Sequence, residues 1–350
     1  MTEDTGTPCE NRSTHSLLAH LDPPLMTYYY GTFSVLMLVN VVGNTIVLRT
    51  ILRHDSLRTP ANSLICSLAA SDLLFGLLYP IYNVSHIDLP VIENSLGEWS
   101  VCRIIMTEVL ALELCSSYGL VAIALSRHFI VAHPLRYRQY LNTRSCSVVI
   151  VTLWVVAHII CVIVYAKESP PQGYCNICRF EMMYPLTHLT ILTAMQFLLP
   201  FIIMVVSNVR MAYTARALQT RTEVGSTSVG HQAQCRWKCG LHLRQKSVVV
   251  VTLLVGCFAL AWAPQLLYLF LVIVGKLEET QFEYLGATVR IFLYCNSAVN
   301  VFIYAGRMAD FRRHVRRDLG HLVCRCSPRV TPSRLTAHVT LGKNNFIVQT

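Results

Sequence analysis

Three hundred and fifty residues that are 53% hydrophobic and only 14% charged, with a mean hydropathy of +0.47, carry a formal net charge of +10. Soluble domains run at about 25% charged residues, so this chain lacks the polar surface to coat a globule, which excludes a soluble enzyme. An excess of Lys and Arg in so apolar a chain predicts a membrane protein with its basic residues gathered on one side.

A helix crossing hydrocarbon needs roughly 20 largely apolar residues. In chain order, residues 23–48 contain no Asp, Glu, Lys or Arg, 59–87 are broken only by Asp72, and 109–126 only by Glu113. Residues 145–166, 182–209 and 247–275 are uncharged, and 284–306 carry Arg290 near their start. The prediction is an all-α fold, a bundle of seven transmembrane helices spanning 27–306, with an extracellular tail at 1–26 and a cytoplasmic tail at 307–350. The third cytoplasmic loop falls at about 219–243, and its Ser-, Thr- and Gly-rich stretch 220–234 is expected to be a disordered linker.

With the N-terminus outside, 23 of the 29 basic residues and four of the 19 acids are cytoplasmic, a net of +19. Six basic and twelve acidic residues lie outside, a net of −6, and Asp72, Glu108 and Glu113 put −3 in the membrane. This polarity fits the inner leaflet and calls for no nucleic acid. Residues 1–22 lack a basic start ahead of an apolar core, so the first helix is expected to act as its own insertion signal. Asn11-Arg12-Ser13 is a glycosylation sequon on the outer side; Asn83-Val84-Ser85 also matches but sits close to the bilayer.

An acid in hydrocarbon costs at least about 2.5 kcal/mol on insertion scales, so Asp72 is expected to face inward and to act. Asn44, Ser116, Asn296, Ser297 and Asn300 stand at similar depth on other spans. One carboxylate with neutral oxygens suits a small hard cation or ordered water; a knot that only fixes helix packing fits the spacing equally.

Gly43-Asn44, Leu68-Ala69-Ala70-Ser71-Asp72, Trp99-Ser100-Val101-Cys102, Ser126-Arg127-His128, Trp154, Pro200, Phe258 with Ala261-Trp262-Ala263-Pro264, and Asn296 to Tyr304 follow one another on the seven spans. In these motifs and their order the chain resembles the rhodopsin-like (class A) G-protein-coupled receptors over about 27–326. The resemblance implies a plasma-membrane receptor for an extracellular small molecule, signalling to heterotrimeric G protein, with arrestin and membrane lipids as further candidate partners. No cofactor is implied beyond an allosteric sodium ion held by Asp72, Ser116, Asn296, Ser297 and Asn300. Arg127 would meet the G protein, and Trp262, Phe258, Asn300 and Tyr304 would form the activation switch.

The chain departs from the family at three points. Ser126 and His128 flank Arg127 where the family has Asp and Tyr, and neither Arg244 nor Lys246 can pair with it, so raised basal activity is expected. Val301 replaces the helix-seven Pro and restores a backbone donor. Asn208 replaces a helix-five Tyr; these last two point toward weakened switching, leaving a weakly or constitutively coupled decoy or scaffold as the alternative. A seven-span enzyme or transporter would need clustered intramembrane acids or histidines, or an inverted repeat; the sequence has neither.

Within the class, Cys178-Arg179-Phe180-Glu181 resembles the second extracellular loop of adenosine receptors, whose Phe stacks on a purine and whose Glu bonds its amine. Leu269 and Tyr294 stand where those receptors read purine and ribose with Asn and His, so adenosine itself is not expected. The candidate ligand contacts are Val109, Leu110 and Glu113 on helix three, Phe180 and Glu181, Trp262, Gln265, Leu266 and Leu269 on helix six, and Tyr294. Glu113 would draw a cationic ligand if ionised, or donate a hydrogen bond if protonated. A nucleoside or a small amine is the expected chemistry.

By the same resemblance Cys102 pairs with Cys178, with Cys175 a rival. After helix seven, Met308, Phe311, Val315 and Leu319 share one face opposite Arg312, Arg313, Arg316 and Arg317, predicting a short amphipathic cytoplasmic helix at about 308–319 on the inner leaflet. Cys324 and Cys326 beyond it are candidate palmitoylation sites.

Overall fold

The computed structural model describes residues 23–84, 99–133, 136–165, 186–225, 231–275, 279–307 and 311–318. Among them there is no strand. The helices are α1 (Pro23–Arg53), α2 (Pro60–Val84), α3 (Trp99–Ala132), α4 (Thr143–Tyr165), α5, α6 (His231–Val274), α7 (Glu279–Arg307) and α8 at 311–318. The rod α5 has three pieces: an α-helix Leu186–Thr193, a wide π turn Ala194–Leu198, and an α-helix Leu199–Gly225.

Local chemistry sets the helix ends. The Thr59 hydroxyl accepts from the Asn62 backbone N–H (3.3 Å) ahead of Pro60, whose missing N–H costs nothing in a first turn. The Asn142 side chain accepts from the Ser145 N–H (2.8 Å) to start α4. Gly275 ends α6 at φ 66, in the left-handed region that a Cβ disfavours, and its N–H returns to the Val272 carbonyl.

Seven described helices are long and apolar enough to cross a membrane, which makes the chain a multi-pass membrane protein. A bilayer explains why Val148, Val155, Ile163 and Phe302 stay on the bundle surface. The core runs instead between α2, α3, α6 and α7, with α3 innermost and α4 outermost. Trp154 on α4 donates to the Ser67 hydroxyl of α2 (2.9 Å). His158 meets Glu108 of α3 at 3.3 Å. Its other ring nitrogen sits 2.7 Å from the Trp154 carbonyl, one turn earlier on its own helix.

The sequence expected a linker over 220–234. Instead α5 continues to Gly225 and α6 begins at His231, because Ala, Leu, Gln and Arg favour helix on both flanks. The short helix after α7 is present over 311–318: Phe311 is buried, Val315 packs against the core, and Arg316 and Arg317 face outward. Asp318 meets His54 at 3.2 Å, and His314 stacks on His54 with centroids 4.1 Å apart, docking α8 onto the first connecting loop. Partial burial would raise the Asp318 carboxyl, but the His54 hydrogen bond and the charges of His54, Arg53 and Arg317 hold it below its ordinary range.

Candidate functional site

The N-termini of α1, α3, α5 and α7 share one end of the bundle, termed the outer end. Midway along, Asp72 of α2 is fully buried. The Ser116 hydroxyl donates to its Oδ1 at 2.7 Å and the Asn300 amide to its Oδ2 at 3.0 Å, with Ser297 also bonded to the carboxylate. Three of the four sequence candidates thus reach Asp72 from α3 and α7. Asn296 is buried and makes no direct bond to the Asp72 carboxylate.

Asn40, which no motif singles out, donates to the Asp72 backbone carbonyl (3.1 Å) and accepts from Asn44 through both its carbonyl and its amide oxygen. Asn44 therefore supports the cluster through Asn40. Its own Oδ1 lies buried without a donor. One carboxylate, two hydroxyls and neighbouring amide oxygens match the hard-oxygen preference of a small monovalent cation or a bound water. No group of three His, Cys, Asp or Glu suited to a metal ion occurs among the described residues.

Gly76 shows how tightly this layer closes. A Cβ there would sit 2.7 Å from Asn40 Nδ2 and 3.3 Å from the Tyr294 hydroxyl, which itself donates to the Gly76 carbonyl (3.0 Å). Gly76→Ala is expected to displace both side chains and lower stability by about 1–3 kcal/mol, measured by thermal unfolding of detergent-purified protein.

Toward the outer end lies a cavity of about 100 Å³. Val109, Leu110, Glu113, Trp262 and Gln265 line it as expected. Leu266 does not: one residue past Gln265 is about 100° further round the helix, which turns Leu266 outward to 39% exposure. Leu269 is buried outside the cavity lining. Tyr294 is buried among Phe33, Phe75 and Tyr79, with centroids 4.8–5.6 Å away, and ties α7 to α1 and α2 without lining the cavity.

Sequence reasoning missed Thr193, Gln196, Tyr268 and Arg290, which also line it. Gln196 lies in the π turn, and its amide donates to the Leu110 carbonyl (3.4 Å). Arg290 was visible as the charge that opens the seventh span. The cavity floor is Trp262, stacked on Phe197 (5.8 Å) and tilted against Phe258 (6.0 Å), with its Nε1–H buried and unbonded. Phe180, Glu181, Asn11, Cys102 with Cys178, and Cys324 with Cys326 lie outside the described side chains.

Toward the inner end, Arg127 has no acidic partner among the described residues, and Tyr304 is buried. Ser126, in the acid's place, donates to the Ile123 carbonyl of its own helix (2.8 Å) and leaves Arg127 unrestrained. Asn208 of α5 donates to the Thr252 hydroxyl of α6 (3.0 Å). The residue expected to weaken switching therefore links the two helices.

Seven membrane-length helices around a buried carboxylate, beneath an aromatic-floored cavity, define a heptahelical receptor bundle. The sequence profile described as "7 transmembrane receptor (rhodopsin family)" matches residues 43–304, and the chain belongs to that family. It is 25% identical to the QRFP-like peptide receptor of Branchiostoma floridae, over 90% of this chain and 83% of that one. It is 26% identical to adenosine receptor A2b of Homo sapiens, over 90% and 96%, and 25% identical to melanocortin receptor 3 of Rattus norvegicus, over 84% and 85%. The chain is thus a G-protein-coupled signalling receptor and not an enzyme. The relatives' names span peptides and adenosine, which leaves the ligand to be argued from the cavity.

Proposed function

We propose that this receptor sits in the plasma membrane with its N-terminus outside and binds an extracellular small molecule, of amine or nucleoside character, in the cavity above Trp262. The observation that carries this reading is Glu113, an acid on the cavity wall with no hydrogen-bond or ion-pair partner among the described residues. A partly buried acid without a partner inside an apolar bundle is costly, and a ligand donor would offset that cost. Ligand contact would bias the Trp262, Phe258 and Phe197 stack. The bias would pass through the Asp72 cluster, where a sodium ion would favour the resting packing, to Arg127 and Tyr304 at the G-protein face, as a population shift between packed states.

The test is nucleotide exchange on purified heterotrimeric G proteins by the receptor in lipid discs, without added ligand. Unrestrained Arg127 leads us to expect exchange above that of empty discs; its absence across the G-protein classes would defeat the coupling half of the reading. If Asn208 and Thr252 restrain separation of α5 and α6, Asn208→Ala removes a bond worth about 0.5–1.5 kcal/mol. Basal exchange should then rise roughly two- to tenfold.

A further inference from the structure

An acid and a guanidinium line the same cavity without pairing with each other. Glu113 and Arg290 both border it, yet Glu113 forms no ion pair among the described residues. Their depths follow from a shared reference, because Ser116 of α3 and Asn300 of α7 both bond to the Asp72 carboxylate. Glu113 is three residues outward of Ser116 and Arg290 is ten outward of Asn300, on helices running the same way. At about 1.5 Å per residue, Arg290 is rooted roughly 10 Å nearer the outer end than Glu113.

The wall also carries neutral hydrogen-bonding groups, Thr193, Gln196 and Gln265. On the floor, the Trp262 Nε1–H is buried without an acceptor. The cavity thus carries an acid nearer its base and a guanidinium nearer its outer end. An amine with no anionic group would satisfy the base and meet repulsion on its way past Arg290. A simple α-amino acid carries its charges too close together to reach both residues.

Resting on the reading of this cavity as the ligand site, we propose that the ligand is dipolar: a cationic or strongly donating group directed at Glu113, and an anionic group several bonds away held by the Arg290 guanidinium. Straight-chain ω-amino acids of graded length are the probes, with length-matched alkylamines and carboxylic acids as singly charged controls. Binding is read directly on purified receptor by ligand-observed NMR and thermal shift, so the result does not depend on G-protein coupling. The expectation is a length optimum, with each singly charged control at least tenfold weaker than the best dipolar member.

Arg290→Gln should erase the preference for the carboxylate and keep that for the amine, and Glu113→Gln should do the reverse. If either variant fails to fold, the comparison on the native receptor still decides. Dipolar members binding no better than their singly charged controls would overturn the proposal, even in a receptor that exchanges nucleotide. Loss of exchange with dipolar binding intact would overturn the coupling reading and leave this one standing.

Discussion

Replacing Asp72 by Ala is expected to cost the folded receptor about 3–9 kcal/mol, because it strands three buried donors at about 1–3 kcal/mol each. Those donors, the Ser116 and Ser297 hydroxyls and the Asn300 amide, come from α3 and α7, so the loss is felt across three helices. Asp72→Asn is near-isosteric and keeps one acceptor oxygen. It should unfold between the native protein and the Ala variant in thermal denaturation. The two variants also separate packing from ion binding. If the cluster holds sodium, raising sodium at constant ionic strength should suppress basal nucleotide exchange by the native receptor and leave Asp72→Asn unchanged. A flat response in both would reduce the cluster to a packing element.

The second large effect lies beside this cluster, where α7 meets α1. Val301 stands where the family carries Pro, and its branched side chain fills a notch over Gly43 of α1. A Cβ on Gly43 would meet both Val301 γ-carbons at 2.9 Å and the β-carbon at 3.2 Å, closer than carbon atoms pack. Gly43→Ala should therefore destabilise by about 1–3 kcal/mol through overpacking. Val301→Ala alone should cost about 1–2 kcal/mol through lost burial. Combined, the two should lose less than the sum of the single changes, with a coupling of about 0.5–3 kcal/mol in a double-mutant cycle on chemical or thermal unfolding. Strict additivity would mean that α1 moves away and the notch is not a constraint.

These contacts mark what a sequence can and cannot show. Lone acids interrupting apolar runs exposed Asp72 and Glu113, because hydrocarbon makes every such interruption expensive. Seven spans were legible for the same reason, since backbone groups in lipid must bond within their own helix. Asn40 was not legible: a neutral amide barely disturbs hydropathy, and its partner is 32 residues away. The pairing of Glu108 with His158 depends on how α4 is rotated against α3, which composition does not specify. Leu266 and Tyr294 stand outside the cavity lining for one shared reason: a motif gives the helix and the depth, while the facing direction depends on phase.

Phase gives the π turn in α5 its significance. It takes one residue more than an α-helical turn, so it offsets the two halves of α5 by about 100° of rotation. Leu192, Thr193 and Gln196, which line the cavity, therefore keep a register of their own, independent of the half that places Asn208 against Thr252. A one-residue insertion or deletion confined to this turn could turn the outer half of α5 to a new face while the inner half kept its partners. The helix is built like a shaft with a coupling in the middle, and its sensing and transmitting ends can be retuned separately.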